Sequence, residues 1–314
     1  MPTIPSMKGD GFYDQHSQVQ EQFILSSQDL IEEAARAIPL PENGPIGLAD
    51  LGCSEGKNSL MLMRKLTQLV RQRSQQPLMI THNDLPANNW NGFFRNLTPY
   101  GPNIWAQANA TSFFQPVVPP GTLHIACCYS TVHWLSQLPP VPNPNGVLFA
   151  LMEPQSRKVL VDQAARDWEA FLQARAEELV PGGRLIIVSG GNQDGDVAGL
   201  KMYRLLDQIL QELGHPPFVM PIYYRDEQEI RQPLERCGFQ VEQCRIQRLT
   251  TPFAEQLERD GDRQKYAKDT TGFLRAWMEP LLPDPRIYEI LEERLAATGT
   301  EVANVQIVAA FSKR

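Results

Sequence analysis

The sequence of 314 residues lacks the features that mark several classes of protein. It has no run of about eighteen apolar residues, so no membrane-spanning helix is expected. Its N-terminus lacks the apolar core of a secretory signal peptide. Lys and Arg number 29 against 36 Asp and Glu, and this acidic balance argues against a nucleic-acid-binding surface. These absences predict a cytoplasmic protein with no membrane or nucleic-acid partner.

Cysteine is scarce, and its spacing excludes the usual cysteine-based sites. The five cysteines are Cys53, Cys127, Cys128, Cys237 and Cys244, and none forms a C-x-x-C pair. An odd number of thiols without such pairing is typical of a reducing compartment, where cysteine serves as a small core residue. The five histidines are scattered along the chain, so no metal site is predicted.

Apolar segments that alternate between strand and helix patterns run along most of the chain. Strands are predicted at 46–51, 78–81, 104–108, 123–128, 184–189, 239–246 and 302–311, and helices at 57–72, 162–179, 199–213 and 226–236. The proline-rich segments 116–120 and 139–144 are predicted loops. This alternation predicts an α/β fold with a mainly parallel sheet covered by helices on both faces.

The chain is predicted to form a single domain over residues 1–314. Its core is expected at about 30–195, 235–250 and 300–314. The remaining segments, about 196–234 and 251–299, have no regular strand pattern and are expected to form a lid beside the sheet.

A glycine-rich turn follows the first predicted strand. In Ala49–Gly56, an acidic residue, Asp50, precedes Gly52 and Gly56, and a helical pattern begins at Lys57. Strand, glycine turn and helix in this order form the usual cradle for a nucleotide-like ligand. The spacing G-x-x-x-G differs from the dinucleotide fingerprint and favours a nucleoside without a pyrophosphate, such as S-adenosylmethionine (SAM). An ordinary strand-to-helix turn is the alternative.

Polar residues also follow the next predicted strands. Asp84 ends the second strand, where a carboxylate can accept hydrogen bonds from both ribose hydroxyls. Ser112 and Phe113 follow the third, where a hydroxyl and a ring could contact adenine. Asp84 could instead be a turn former before Pro86, and Phe113 a core residue.

Short motifs occur in order along nearly the whole chain. They are Gly9-Asp10-Gly11-Phe12-Tyr13 with Ser17 and Gln20, Ala49–Gly56, Asn83-Asp84-Leu85-Pro86, Ser112-Phe113, His133-Trp134-Leu135-Ser136-Gln137-Leu138-Pro139, residues 175–184 and residues 275–282. Together they resemble the SABATH family of SAM-dependent methyltransferases, named for plant salicylate, benzoate and theobromine enzymes. The chain differs from plant members in being shorter and in having Ser130 where a pocket tyrosine is usual.

The resemblance implies a fold, a cofactor and a set of site residues. It implies a class I methyltransferase with a Rossmann-like seven-stranded sheet and a helical lid, and it implies an enzyme that is often a homodimer. SAM would be bound by Ser17, Asp50, Gly52, Cys53, Asn58, Asp84, Leu85, Ser112 and Phe113. The acceptor's carboxylate would be held by Gln20 and Trp134, in a pocket lined by Tyr13, His133, Tyr203, Met220, Ile222, Tyr223, Phe273, Trp277 and Met278.

The predicted reaction is methyl-ester formation on a small, partly apolar carboxylic acid. A carboxylate with a pKa near about 4 is ionised at neutral pH and needs no general base. Gln20 and Trp134 are neutral donors that can orient such a group without neutralising it. On general grounds Trp134 could be a core residue, Gln20 a solvated helix residue, and His133 a structural histidine, so His133 is given only a supporting role.

Other functions fit parts of the pattern. Methylation of a ring nitrogen in a small heterocycle, as in the caffeine-forming branch of the family, would need pocket polarity rather than a carboxylate clamp. A donor-binding protein without an acceptor site would not be expected to keep both Gln20 and Trp134. A dehydrogenase would need a G-x-G-x-x-G turn and an acidic residue about 20 residues later, which the chain lacks.

Overall fold

Strands and helices alternate along most of the protein in a computed structural model, which describes residues 6–300 and 304–314. The strands are β1 Ile46–Leu51, β2 Leu78–Asp84, β3 Ile104–Ala110, β4 Leu123–Tyr129, β5 Leu179–Gly190, β6 Asn192–Gln193, β7 Asp196–Val197, β8 Phe239–Leu249 and β9 Asn304–Lys313. The α-helices are α1 Phe12–Gln15, α2 Gln18–Leu25, α3 Gln28–Ala37, α4 Lys57–Arg71, α5 Trp90–Asn96, α6 Pro154–Glu178, α7 Leu200–Glu212, α8 Glu227–Arg231, α9 Pro252–Asp260, α10 Arg263–Met278 and α11 Pro285–Thr298.

A seven-stranded sheet with the order β3-β2-β1-β4-β5-β9-β8 organises the fold. Strands β1 to β5 run parallel to one another, and β9 pairs antiparallel with both β5 and β8. The predicted mainly parallel α/β sheet is therefore confirmed. The strand order reverses between β1 and β4, and such a switch point leaves a crevice outside the carboxyl ends of the strands.

Both faces of the sheet are covered, which explains the continuous apolar strands. Every residue of β1 and of β4 is buried. Alternate side chains point to opposite faces, so Leu48 belongs to one apolar core and Ala49 to the other. The first core includes residues of α2, α3, α4, α7, α10 and α11, and the second includes residues of α6.

Some element boundaries differ from the predictions. The predicted start of the long helix near residue 162 is wrong, because α6 begins at Pro154, a residue well suited to the first helical turn. The predicted helix at 226–236 ends at Arg231. Helices α1, α2, α3 and α5 were not predicted, and the predicted start of the last strand at residue 302 lies outside the described residues. The division into core and lid remains a prediction.

A buried ion pair fixes the loop that follows β3. Arg175 and Glu178, on the last turns of α6, are completely buried, and Arg175 Nε lies 2.6 Å from Glu178 Oε2. Arg175 donates to the carbonyl oxygens of Phe113 and Gln115 at 2.7 and 3.1 Å. Glu178 accepts hydrogen bonds from the backbone N–H groups of the same loop, including Val118. The pair therefore fixes the backbone of residues 113–118, a loop that is far from the end of α6 in sequence.

Removing Glu178 should destabilise the fold strongly. In Glu178→Ala the Arg175 guanidinium stays buried without its counter-charge, so the free energy of unfolding should fall by about 3–5 kcal/mol. Urea titration followed by circular dichroism measures this loss. Asp162→Ala breaks an exposed pair with Lys158 on the same helix and should cost less than about 1 kcal/mol. Equal losses in the two variants would contradict the structural role of the buried pair.

Candidate active site

The turn after β1 joins the ends of three strands. The backbone N–H groups of Gly52 and Cys53 both donate to the carbonyl oxygen of Asn83, at 2.8 and 2.9 Å. Gly52 has a φ of 99°, and a Cβ there would collide with the side chain of Thr131. The Thr131 hydroxyl also donates to Leu51 O at 2.8 Å. Only glycine can make this turn so close to the end of β4.

Asp84 lies opposite this turn at the end of β2. Its Oδ2 accepts the backbone N–H of Ser54 at 2.7 Å, and its Oδ1 accepts that of Leu85 at 2.7 Å. Burial raises the pKa of its carboxyl group, and the two backbone hydrogen bonds oppose this shift. A carboxylate has about four acceptor sites, so Asp84 keeps capacity for a ligand. The predicted turn role and the predicted ligand role are therefore compatible.

A large cavity lies at the carboxyl edge of the sheet. Its volume is about 460 Å³, and many of the predicted site residues line it. These are Tyr13, Gln20, Gly52, Asp84, Leu85, Ser112, Phe113, His133, Trp134, Ile222, Phe273 and Trp277. The structure thus brings together side chains from both ends of the chain that only the family resemblance had connected.

A second, smaller cavity of about 30 Å³ adjoins the first. The two share Tyr13, Gln20, Gly52 and Ser54, and the smaller one is also lined by Asp50, Cys53 and Asn58. Ser17 is buried but lines neither cavity. Its hydroxyl donates to Asp14 O at 3.2 Å, and its carbonyl accepts from Asn58 Nδ2 at 3.2 Å.

Four predicted pocket residues are not brought to the cavity wall: Tyr203, Met220, Tyr223 and Met278. Successive side chains alternate along the extended segment 222–224, so Ile222 and Tyr224 face the cavity. Tyr223 turns away and donates its phenol to Glu229 at 2.6 Å. Tyr203 lies behind the wall, with its hydroxyl 3.1 Å from that of Tyr224. Tyr224 was missed, although the same alternation would have indicated it.

The donor-side walls are acidic. Among the described residues that line the two cavities, none is Lys or Arg. Burial, together with the charge of Asp84, raises the pKa of Asp50 to about 7, and the Ser59 hydroxyl opposes this shift. Buried carboxylates without a counter-cation are costly, so a ligand with positive charge would be favoured here.

Several buried polar atoms in these walls have no hydrogen-bond partner within the described parts of the chain. They are Gln20 Oε1, Ser54 Oγ, Asn58 Oδ1 and Ser130 Oγ. Most buried polar groups are paired, so unpaired groups clustered at a cavity indicate a polar ligand. SAM carries an ammonium group, ribose hydroxyls and a sulfonium, and these fit a site with carboxylates and free oxygen acceptors.

Aromatic side chains form the other half of the large cavity. Trp134 packs edge-on against Trp277, with ring centroids 6.2 Å apart, and Phe273 packs edge-on against Trp277 at the same separation. Trp134 forms an isolated β-bridge with Ile222. Backbone hydrogen bonds from Leu135 to Pro221 O and from Tyr223 to His133 O flank it.

His133 is a neutral residue in this wall. Burial, with a smaller effect from Arg225, lowers its pKa to about 3. Its Nδ1 lies 2.9 Å from Ser189 Oγ. A histidine with this pKa is uncharged at neutral pH, so it offers the ligand a polar group without a charge.

Two buried charged residues, which the sequence analysis did not single out, hold the loop that carries Trp134. Arg225 donates to Val132 O at 2.9 Å and to Ala164 O at 2.7 Å. Asp167 accepts from both the backbone N–H and the hydroxyl of Ser136, at 2.8 and 2.6 Å. The loop is therefore tied two residues before and two residues after Trp134. Neither residue lies in a recognisable motif.

Residues 6–300 and 304–314 contain neither a membrane-spanning helix nor a cluster of metal ligands. No helix there is both long and apolar enough to cross a membrane. These residues also contain no group of three or more His, Cys, Asp or Glu side chains placed to hold a metal ion.

Comparison with known proteins agrees with this geometry. A family model described as SAM-dependent carboxyl methyltransferase matches residues 3–310. Gibberellic acid methyltransferase 1 of Arabidopsis thaliana is 27% identical over 301 residues, covering 82% of this chain and 80% of that protein. Salicylate carboxymethyltransferase of Clarkia breweri is 27% identical over 318 residues, covering 91% and 88%.

A solved structure shares the whole fold. The structure of a loganic acid methyltransferase with SAH superposes with a TM-score of 0.83 at 24% identity and covers 99% of both chains. This likeness confirms the predicted methyltransferase fold, and the family match confirms SAM as the cofactor. The chain belongs to the family of SAM-dependent carboxyl methyltransferases, the SABATH enzymes that its motifs resemble.

Proposed function

We propose that the protein transfers the methyl group of SAM to the carboxylate of a small, partly apolar acid, with Gln20 and Trp134 as the clamp for that carboxylate. One observation carries the assignment: the large cavity joins donor-side residues, among them Asp84, to an aromatic acceptor half, and both clamp residues line it. When bound, SAM supplies an electrophilic methyl group, and the acid becomes a methyl ester.

In the donor half, residues at the ends of β1, β2 and β3 would hold SAM. Asp84 would accept the ribose hydroxyls, with Leu85 beside it, and Ser112 and Phe113 would contact the adenine. Asp50 would pair with the ammonium of the methionine part. Gly52, Cys53, Asn58 and Ser17 complete the proposed donor set, and Ser17 would act from behind the wall, through the segment that it orders.

The acceptor half would orient the carboxylate and remove it from water. Gln20 projects from α2, and its side chain opposes the rise that burial causes in the pKa of the Tyr13 phenol. The amide N–H groups of Gln20 and the indole N–H of Trp134 are neutral donors, which orient an anion without neutralising it. Tyr13, His133, Ile222 and Trp277 would contact the rest of the acid, with Tyr203, Met220 and Tyr223 supporting the wall from behind.

No residue is required to remove a proton. The acid is already ionised, so the protein contributes orientation and exclusion of water. Positioning of this kind can lower a barrier by roughly 7–11 kcal/mol. We place the reaction in the cytoplasm, which the free thiols of the five cysteines support. A homodimer remains a prediction.

Loss of the Asp84 carboxylate should weaken donor binding. Asp84→Ala removes the acceptor of the ribose hydroxyls, so the affinity for S-adenosylhomocysteine should fall by about 2–4 kcal/mol. Isothermal titration calorimetry on both proteins measures this change. Asp84→Asn keeps one acceptor oxygen, so only one of the two backbone N–H groups loses its partner. Its affinity should fall by less than that of Asp84→Ala. Unchanged affinity in a folded Asp84→Ala protein would remove Asp84 from the donor site.

Substitution of either clamp residue should lower kcat/KM for the acid and leave the affinity for the donor unchanged. Gln20→Ala and Trp134→Phe should each lower kcat/KM for the acid by about tenfold or more, because each loses a hydrogen bond to a charged group. The two losses should not add, because losing either donor lets the acid move away from the other. Steady-state kinetics and calorimetry separate the two effects.

The chain offers matched controls for both substitutions. Gln18→Ala removes an amide from the same helix, where it bonds Gln15 O. Trp105→Phe changes a tryptophan that is 53% exposed on β3. Both should keep the parental kcat/KM. A Gln20→Ala, Trp134→Phe double variant near the parental rate would refute the clamp and favour the nitrogen-methylating alternative.

The pH dependence of catalysis should be flat. The acid is ionised, and His133, with a pKa lowered to about 3, stays neutral. At saturating SAM, kcat/KM for the acid should therefore not vary between about pH 6 and 8. Initial rates across this range test the expectation. A rise near pH 6.5 that disappears in His133→Asn would instead make His133 a base and the acceptor a nitrogen or hydroxyl.

A further inference from the structure

A chain of buried polar side chains connects the donor site to the outside of the protein. Ser59 Oγ lies 2.7 Å from Nδ1 of His82, and the Tyr100 hydroxyl lies 3.0 Å from Nε2 of the same ring. Ser59 and Asp50 both line the smaller cavity, and hydrogen bonding from Ser59 opposes the rise that burial causes in the pKa of the Asp50 carboxyl group. Both ring nitrogens of His82 are therefore engaged, and Tyr100 is the half-buried end of the chain.

The pairing of β1 with β2, and the helix α4 that covers them, bring these residues together. Asp50 of β1 pairs directly with His82 of β2, so their side chains lie on the same face of the sheet. Ser59 is on the first turns of α4, which covers that face. The Tyr100 ring stacks on His82 with centroids 6.1 Å apart, and the Arg64 guanidinium lies 4.8 Å from the centre of the Tyr100 ring.

His82 can report the charge of its neighbours through its tautomer. Its ring is fully buried, which lowers its pKa to about 4, so it is neutral at physiological pH. A neutral imidazole has one N–H donor and one acceptor nitrogen. The two hydrogen bonds must therefore run in one direction through the ring, and the direction is set at the ends of the chain.

The two directions correspond to the two charge states of Asp50. When Asp50 is ionised, Ser59 donates to it, Nδ1–H donates to Ser59, and Tyr100 donates to Nε2. When Asp50 is protonated, it donates to Ser59, Ser59 donates to Nδ1, and Nε2–H donates to Tyr100.

Changing from the second arrangement to the first conserves protons. The Asp50 proton moves to Ser59 Oγ, and the former Ser59 proton moves to Nδ1. The Nε2 proton moves to Tyr100, and the former Tyr100 proton leaves to water. One proton leaves for each Asp50 that ionises, and no bond other than these O–H and N–H bonds changes.

We propose that Ser59 and His82 are positioning residues that hold Asp50 ionised for the donor's ammonium group, and that the His82 tautomer follows the charge of Asp50. This inference rests on the proposed role of Asp50. The chain gives Asp50 a route for its proton that leaves the smaller cavity at Ser59 and continues through His82 and Tyr100, which line neither cavity.

Ser59 is important because the other ionisable groups around Asp50 give it no positive charge. These groups are Asp84, Asp14, Cys53, Cys127, Cys128, Tyr13 and Tyr129. The carboxylates have the same charge as ionised Asp50, and burial raises the pKa values of the thiols and phenols, so these stay neutral. Hydrogen bonding from Ser59 and from the Leu51 backbone lowers the pKa of Asp50 and so favours its ionised form.

The tautomer can be measured directly on the whole protein. In protein with 15N-labelled histidine, His82 should be in the Nδ1–H form at pH 8, and also at pH 7 with saturating S-adenosylhomocysteine. It should be in the Nε2–H form at pH 5.5 without this ligand. Two-bond 15N–1H spectra distinguish the forms, and His82→Asn identifies the signal among the five histidines.

Ser59→Ala cuts the chain with a small change of shape. The His82 tautomer should then respond neither to pH nor to S-adenosylhomocysteine, and affinity for this ligand at pH 7 should fall by about tenfold, the effect of one hydrogen bond to a charged group. Thr67→Val is the matched control, because Thr67 lies on the same helix and its buried hydroxyl has no hydrogen-bond partner among the described residues. It should keep both the tautomer response and the affinity.

Each outcome bears on the inference separately from the proposed function. A parent protein that binds the ligand but keeps one His82 tautomer at all pH values would overturn the inference. A Ser59→Ala variant that keeps the response would also overturn it. A parent protein that does not bind S-adenosylhomocysteine would contradict the proposed function, while the pH series would still decide whether the chain works.

Discussion

The rest of the site depends on the backbone turn after β1. Gly52 lies so close to Thr131 that no side chain fits there. The backbone N–H groups of Gly52 and Cys53 both donate to the carbonyl oxygen of Asn83. The Asn83 side chain in turn donates to Thr111 O at 2.7 Å. The ends of β1, β2, β3 and β4 are thus tied to one point. This junction brings Asp50, Asp84 and the loop with Ser112 and Phe113 to one crevice.

The two halves of the cavity differ in how charge is handled. The donor half has buried carboxylates, free oxygen acceptors and no cation in its described walls, so it suits a positively charged ligand. The acceptor half is aromatic, and its histidine is neutral. An anionic acid in that half would be oriented by the neutral donors Gln20 and Trp134 and attracted by the positive charge of the bound donor.

The sequence predicted the parallel sheet, and it placed Asp50 and Asp84 at strand ends, because these signals are local. Apolar strands, a glycine turn and an acidic residue at a strand end are each visible within a few residues. The acceptor side depends on which side chains of the extended segment 222–224 point inward: Ile222 and Tyr224 face the cavity, and Tyr223 does not. Arg225, Asp167 and the Arg175–Glu178 pair hold loops through contacts that span between 31 and 93 residues of sequence. No local sequence pattern indicates such contacts.

The identity of the methylated atom tests the central claim most directly. The protein would be incubated with a panel of small acids and heterocycles and with SAM carrying a labelled methyl group, and the products would be separated by mass. Carboxyl methylation predicts a labelled ester that mild base hydrolyses to labelled methanol. A labelled product that resists base, with the methyl group on a ring nitrogen, would contradict the account.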